Sequence, residues 1–134
     1  MSCNTVPSYD FCIYRGEDRE FFFSFSYIDE NGVKQPLVLD TYEFLMSLEL
    51  NRPRNVKLDT LSTENRRLLR GNLVDNIFSE GTNASVLSVK FPHEVTSTFS
   101  EGTGHFDLIK IDSVGNREVL LFGGIMVHRG VSYA

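Results

Sequence analysis

The chain has 134 residues, 41% of them hydrophobic and 23% charged, with a net charge of −5. That is enough apolar material for one hydrophobic core without disulfides or metal ions as staples. The acidic balance disfavours a general nucleic-acid-binding surface, and no apolar run reaches the length of a bilayer span. No apolar stretch of the signal-peptide kind follows the N-terminus, so synthesis in a reducing cytoplasm is expected, with Cys3 and Cys12 as free thiols.

Residues 1–9 are polar, carry Pro7 and read as an N-terminal arm. Residues 10–14 form a short apolar strand, and Arg15-Gly16-Glu17-Asp18 is a turn. Residues 20–28 then alternate, with Phe21, Phe23, Phe25 and Tyr27 on one face, the period-two pattern of a strand buried on one side. Asp29-Glu30-Asn31-Gly32 supplies a hairpin, since Asn-Gly favours the turn geometry that fits strand twist. After a short return through residues 36–39, residues 41–51 alternate again and place Tyr42, Phe44, Met46, Leu48 and Leu50 on one face.

Residues 51–84 are less regular. Ser62 suits a helix cap, and Leu69, Leu73 and Ile77 recur at four-residue spacing, so residues 62–70 are expected to be helical. Residues 73–78 are expected to pair as a strand with residues 85–91, whose Leu87, Val89 and Phe91 share a face. Pro92-His93-Glu94-Val95 reads as one helical turn with Pro at an allowed early position. Gly102-Thr103-Gly104 reads as a turn, 105–111 as a strand, 112–116 as a hairpin loop and 117–128 as the last strand. In that last strand, apolar residues stand consecutively on both sides of Gly123-Gly124. Such a run fits a central strand bent by a glycine bulge, or one with a face against a neighbouring subunit. The fold expected is all-β: a mostly antiparallel β-sandwich with one or two short helical turns. It would be a single domain over 10–134 with a basic insertion at 52–84.

Candidate chemistry is sparse. His93, His105 and His128 lie far apart in sequence and match no metal-ligand spacing. No nucleophile elbow is present, and Asp29-Glu30-Asn31-Gly32 lacks the ligand spacing of a calcium loop. Neither a catalytic nor a metal site is therefore expected, and no cofactor; an enzyme is disfavoured. Charge is distributed more tellingly. Arg52, Arg54, Lys57, Arg66, Arg67 and Arg70 are set against only Asp59 and Glu64, so residues 52–70 carry +4 and the rest of the chain −9. A basic segment on an acidic body suits docking on an acidic protein surface. No aromatic residue is interleaved with these cations to stack on bases, so nucleic acid is an unlikely partner. With Phe122 and Met126 of the last strand, these six residues are the candidate protein interface.

The order of these features carries a resemblance. Arg15-Gly16-Glu17-Asp18 precedes the Phe-rich strand, and Leu39-Asp40-Thr41-Tyr42 leads into the second alternating strand. Phe91-Pro92-His93-Glu94-Val95-Thr96, Gly104-His105-Phe106-Asp107-Leu108 and Gly124-Ile125-Met126-Val127 follow. The series resembles the N-terminal β-sandwich domain of phage baseplate upper proteins and related tail and fibre-attachment proteins. It covers most of the chain except residues 51–84, which run longer than the family pattern. The resemblance implies a non-enzymatic virion structural protein acting in a tail, baseplate or capsid, made in the host cytoplasm and carried in the particle. Its implied partners are other virion proteins and copies of itself in a trimer or ring, with no membrane. A carbohydrate-binding module for host-surface recognition is the competing reading; such modules expose flat aromatic side chains, often Trp, and this chain has no Trp.

Overall fold

The computed structural model describes residues 7–50, the backbone of 55–58, and residues 61–130. The strands in chain order are β1 (Phe11–Tyr14), β2 (Arg19–Ser24), β3 (Ser26–Ile28), β4 (Lys34–Pro36), β5 (Glu43–Leu50) and β6 (Asn55–Leu58). They continue with β7 (Arg66–Asn72), β8 (Ile77–Glu80), β9 (Val86–Phe91), one helical turn α1 (His93–Thr96), β10 (Gly102–Ile111) and β11 (Arg117–His128). A five-stranded sheet runs β1-β11-β10-β5-β6, and a four-stranded sheet runs β2-β9-β7-β8. Strands β3 and β4 form a separate ribbon. The all-β expectation holds. Pairing is antiparallel except between β1 and β11, which run parallel.

Alternation builds the core. Phe44, Met46, Leu48 and Leu50 of β5 point inward with Phe106 and Leu108 of β10 and Ile125 and Val127 of β11. From the other sheet come Phe21, Phe23, Leu87, Val89 and Phe91. The ring of Phe11 lies 4.6 Å from Phe21 and 4.7 Å from Phe106 between ring centres, so it joins the two sheets at one edge. A smaller apolar layer sits outside the four-stranded sheet. Phe22 and Phe78 stack in parallel at 5.1 Å on the side where Leu69 and Val86 are buried.

Five expectations are corrected. Residues 62–70 are not a helix. The carbonyl of Ser62 accepts the amides of Asn65 and Arg66 in one turn, and the chain then extends as β7. Arg66 to Leu69 pair with Val89 to Val86, and this ladder outweighs the weak helical spacing. Residues 73–76 form the hairpin loop, and β8 pairs with β7 rather than β9. Gly71, at φ +147°, permits that hairpin: a Cβ there would stand 2.1 Å from the carbonyl oxygen of Ile77. Gly102-Thr103-Gly104 is not a turn but the start of β10. A Cβ on Gly104 would lie 2.3 Å from the carbonyl oxygen of Glu49, so this glycine serves close strand approach. The alternating run 20–28 breaks at Phe25. Phe21 and Phe23 are buried, Phe25 is half-buried, and Tyr27 on the separate ribbon is 51% exposed.

The bulge of β11 is not at Gly123-Gly124. Leu108 faces Leu121 while Ile109 faces Val119, so Leu120 is the extra residue. The bulge lets Leu120 and Leu121 both turn inward, which explains the consecutive apolar run. The glycines serve the arm instead. Tyr9 donates its amide to the Phe122 carbonyl at 2.9 Å, Phe122 donates to the Pro7 carbonyl at 3.3 Å, and a Cβ on Gly123 would stand 1.9 Å from the Tyr9 carbonyl oxygen. The arm is thus seated on β11 from Pro7 onward; residues 1–6 lie outside the described residues.

The hairpins at 29–33 and 112–116 stand as expected. In each, the Asp side chain accepts two backbone amides, Asn31 and Val33 on Asp29, and Val114 and Asn116 on Asp112. The helical turn is also where it is expected, with Pro92 as its N-cap. Buried Thr96 joins it to the Arg15-Gly16-Glu17-Asp18 turn: its hydroxyl donates to the Glu17 carbonyl at 2.8 Å and accepts the Gly16 amide at 3.1 Å.

Candidate interaction surface

The outward side of the five-stranded sheet is set by the same alternation that fills the core. Cross-strand register places the outward residues in rows: Met126 beside Thr103; Gly124, His105 and Glu49; Phe122, Asp107 and Ser47; Val119, Ile109 and Leu45. Phe122 is 46% exposed, Val119 39% and Met126 37%, while Leu45 and Ile109 are half-buried. Phe122 and Met126 therefore share a face, about 13 Å apart along the strand. Exposed Cys12 lies beside Met126 across the β1–β11 pairing and carries a free thiol. Oδ1 of Asp107 is shut off from solvent and accepts no hydrogen bond. His105 and Asp107 are two residues apart and face the same way.

Among the described residues, the cations of the basic segment do not share one side of the sheet. In a strand, Arg66 and Arg67 point to opposite sides of the sheet. Arg66 donates from Nε to the Leu61 carbonyl at 2.7 Å, inside the fold. Arg67 donates from Nη2 to Glu20 at 2.9 Å, and Glu20 also accepts the Ser88 hydroxyl on β9. Burial opposes ionisation of Glu20, but hydrogen bonds from Ser88 and Arg67 and the nearby positive charge outweigh it and hold the carboxyl below its usual range. The same bond to Glu20 raises Arg67 above its ordinary value. Two of the expected docking cations thus serve the fold; Arg70 is exposed on β7. Arg52 and Arg54 lie outside the described residues, and Lys57 is described as backbone only.

A groove of about 550 Å³ opens where the Phe-rich run breaks. Tyr9, Phe22, Phe25 and Tyr27 line it with Ser24 and Ser26, as do Lys110 and Glu118, which form a 3.5 Å ion pair. Elsewhere, Asp18, His93 and Glu94 bring their ligand atoms within 4.8 Å of one another on the surface. Asp18 Oδ1 accepts the His93 amide at 2.7 Å and lies 3.0 Å from its Nδ1, while Glu94 lies 3.1 Å from Nε2. The backbone bond from His93, and then its ring, hold Asp18 below its usual value. What this trio does visibly is tie the 15–18 turn to the start of α1.

No protein-family model and no curated protein matches this sequence. Sequence reasoning found Phe122 and Met126 through the unbroken apolar run that contains them. It missed Val119 and Asp107 as surface features, because the bulge at Leu120 that turns Val119 outward leaves no local mark. It missed the groove because the break at Phe25 sits inside an unbroken alternation.

Proposed function

We propose that this chain is a non-enzymatic structural protein of a bacteriophage particle, an adaptor or attachment domain of the tail, baseplate or capsid that acts through protein–protein contacts. The observation that carries this reading is the outward row of Val119, Phe122 and Met126 on β11, beside half-buried Leu45 and Ile109. Partly exposed apolar side chains gathered on one sheet face of a small domain offer a place for another protein to sit. The resemblance to phage baseplate domains supplies the setting, and the Thr96 link between its 15–18 turn and its helical turn gives two of those motifs a shared structural role. Mass spectrometry of purified virions from a phage encoding the chain is the test. Recovery in stoichiometric amount supports the reading; absence from the particle overturns it.

The groove favours a second reading, binding of a host-surface saccharide. Tyr9 and Tyr27 are 44% and 51% exposed beside the hydroxyls of Ser24 and Ser26, an aromatic face with polar neighbours of the kind sugars stack on. Selective signals on a glycan array, abolished by Tyr27→Ala, would favour it.

A further inference from the structure

The outward face of the five-stranded sheet sets an imidazole and a carboxylate side by side at its centre. Strand β10 is the middle strand, and His105 and Asp107 are successive outward residues on it. Asp107 has one carboxylate oxygen withdrawn from water with no donor, and a desolvated acceptor left unpaired is costly. The other carboxylate oxygen is not closed off in this way, and it is the atom a donor arriving from outside can reach.

We propose that this face docks on the same face of a second copy, about a twofold axis that lies in the interface and crosses β10 over Phe106. The proposal rests on the reading that the chain works by protein contacts. The axis stacks β10 on β10 and β11 on β11 with directions reversed, so every outward row meets a defined row of the other copy. His105 then faces the partner's Asp107, and Asp107 faces the partner's His105, an imidazole donor against the outer oxygen of each carboxylate. Phe122 shares a row with Asp107, and Gly124 shares a row with His105, so the Phe122 ring lies over the partner's Gly124, a knob over a position without a side chain. Asp10 borders that hollow, its Oδ1 held by the Gly124 amide at 2.8 Å. Met126 meets the partner's Val119, and Glu49 meets the partner's Ser47. Donor against acceptor, large against small and apolar against apolar all follow from one operation, and this self-complementarity selects a second copy as occupant. Packed sheets cross at about −30°, so the pairs beside the axis are held closest. Strands β11, β10 and β5, about 4.8 Å apart with about eight residues each at about 3.4 Å, and the four residues of β1 offer roughly 450 Å² per copy. That lies below the common value of about 800 Å² per partner, so a dimer of about micromolar strength is expected.

Sedimentation or light scattering of the full chain from about 1 to 100 μM, spanning the expected dissociation constant, tests the contact. The wild type is expected to pass from the 15.2 kDa monomer to twice that mass. His105→Asp sets carboxylate against carboxylate twice and should weaken the dimer at least about a hundredfold. Asp107→His removes both acceptors and should weaken it about tenfold. Mixed in equal amounts, the two variants should form a heterodimer, because every central contact again pairs His with Asp. Both positions face outward, and unchanged circular dichroism checks that the variants fold. A wild type that stays monomeric at about 100 μM, or a mixture that fails to associate, overturns the proposal. A monomer nevertheless found in virions overturns the twofold contact alone; a dimer absent from virions supports the contact and overturns the virion role.

Discussion

Replacing Gly123 by Ala separates the work of the arm from that of the sandwich. The backbone of Gly123 lies outside the left-handed region, so Ala is acceptable there by conformation and by itself should stabilise by about 0.4–1 kcal/mol through the unfolded chain. The difficulty is the arm. The new methyl would lie 1.9 Å from the Tyr9 carbonyl oxygen, a backbone atom that can yield only if residues 7–9 leave β11. Two backbone hydrogen bonds go with them, Tyr9 to Phe122 and Phe122 to Pro7, each worth about 0.5–1.5 kcal/mol net. The edge contact of Tyr9 on Phe23, centres 5.8 Å apart, adds about 0.5–1.5 kcal/mol. After the conformational gain, Gly123→Ala should cost about 1–3 kcal/mol in urea unfolding at unchanged m-value. In a chain that starts at Asp10 the obstacle is gone, and the same substitution should be neutral or stabilising, leaving a coupling of about 2 kcal/mol between arm and glycine. Equal cost in both chains would refute the arm as the reason for the glycine.

Other outcomes follow from the packing and the charges. Phe91→Ala, which empties a fully buried site, should cost about 3–5 kcal/mol in the same assay. Arg67→Ala should cost about 1 kcal/mol by stripping a partner from Glu20, and Arg70→Ala should change stability by less than about 0.5 kcal/mol; the reverse order would contradict the split of the basic segment between fold and surface. Asp18, Asp29 and Asp112 are all held below their ordinary value, chiefly by backbone amides of His93, Val33 and Asn116 respectively. Folding therefore favours their ionised forms, so the stability they lend is complete above the unfolded value of 3.8 and is lost as pH falls through the lower folded values. The melting temperature should be level between about pH 5 and 7 and decline below about pH 4, less steeply in Asp29→Asn.

The legible parts of this chain were those decided locally. Phe44 to Leu50 and Leu87 to Phe91 alternate because one face of each strand is buried, and that pattern is written in the residues themselves. The Asp29 and Asp112 hairpins were legible for the same reason: one side chain closes each on its own amides. What was not legible depends on distant partners. Arg66 to Leu69 became strand because β9 lies beside them, although their own spacing favours a helical turn. Gly104 and Gly123 read as turn or bulge residues, whereas each is glycine because another backbone passes within contact distance. The candidate surface divides likewise. Phe122 and Met126 were marked by apolar runs too long for one buried face. Arg66 and Arg67 point to opposite sides of the sheet because strand geometry, not helix geometry, sets their directions.

A cryo-EM reconstruction of the particle proposed to carry this chain is the most direct test. It should find Val119, Phe122 and Met126 covered by a neighbouring protein. The same three side chains facing open solvent in every copy would contradict the proposed role.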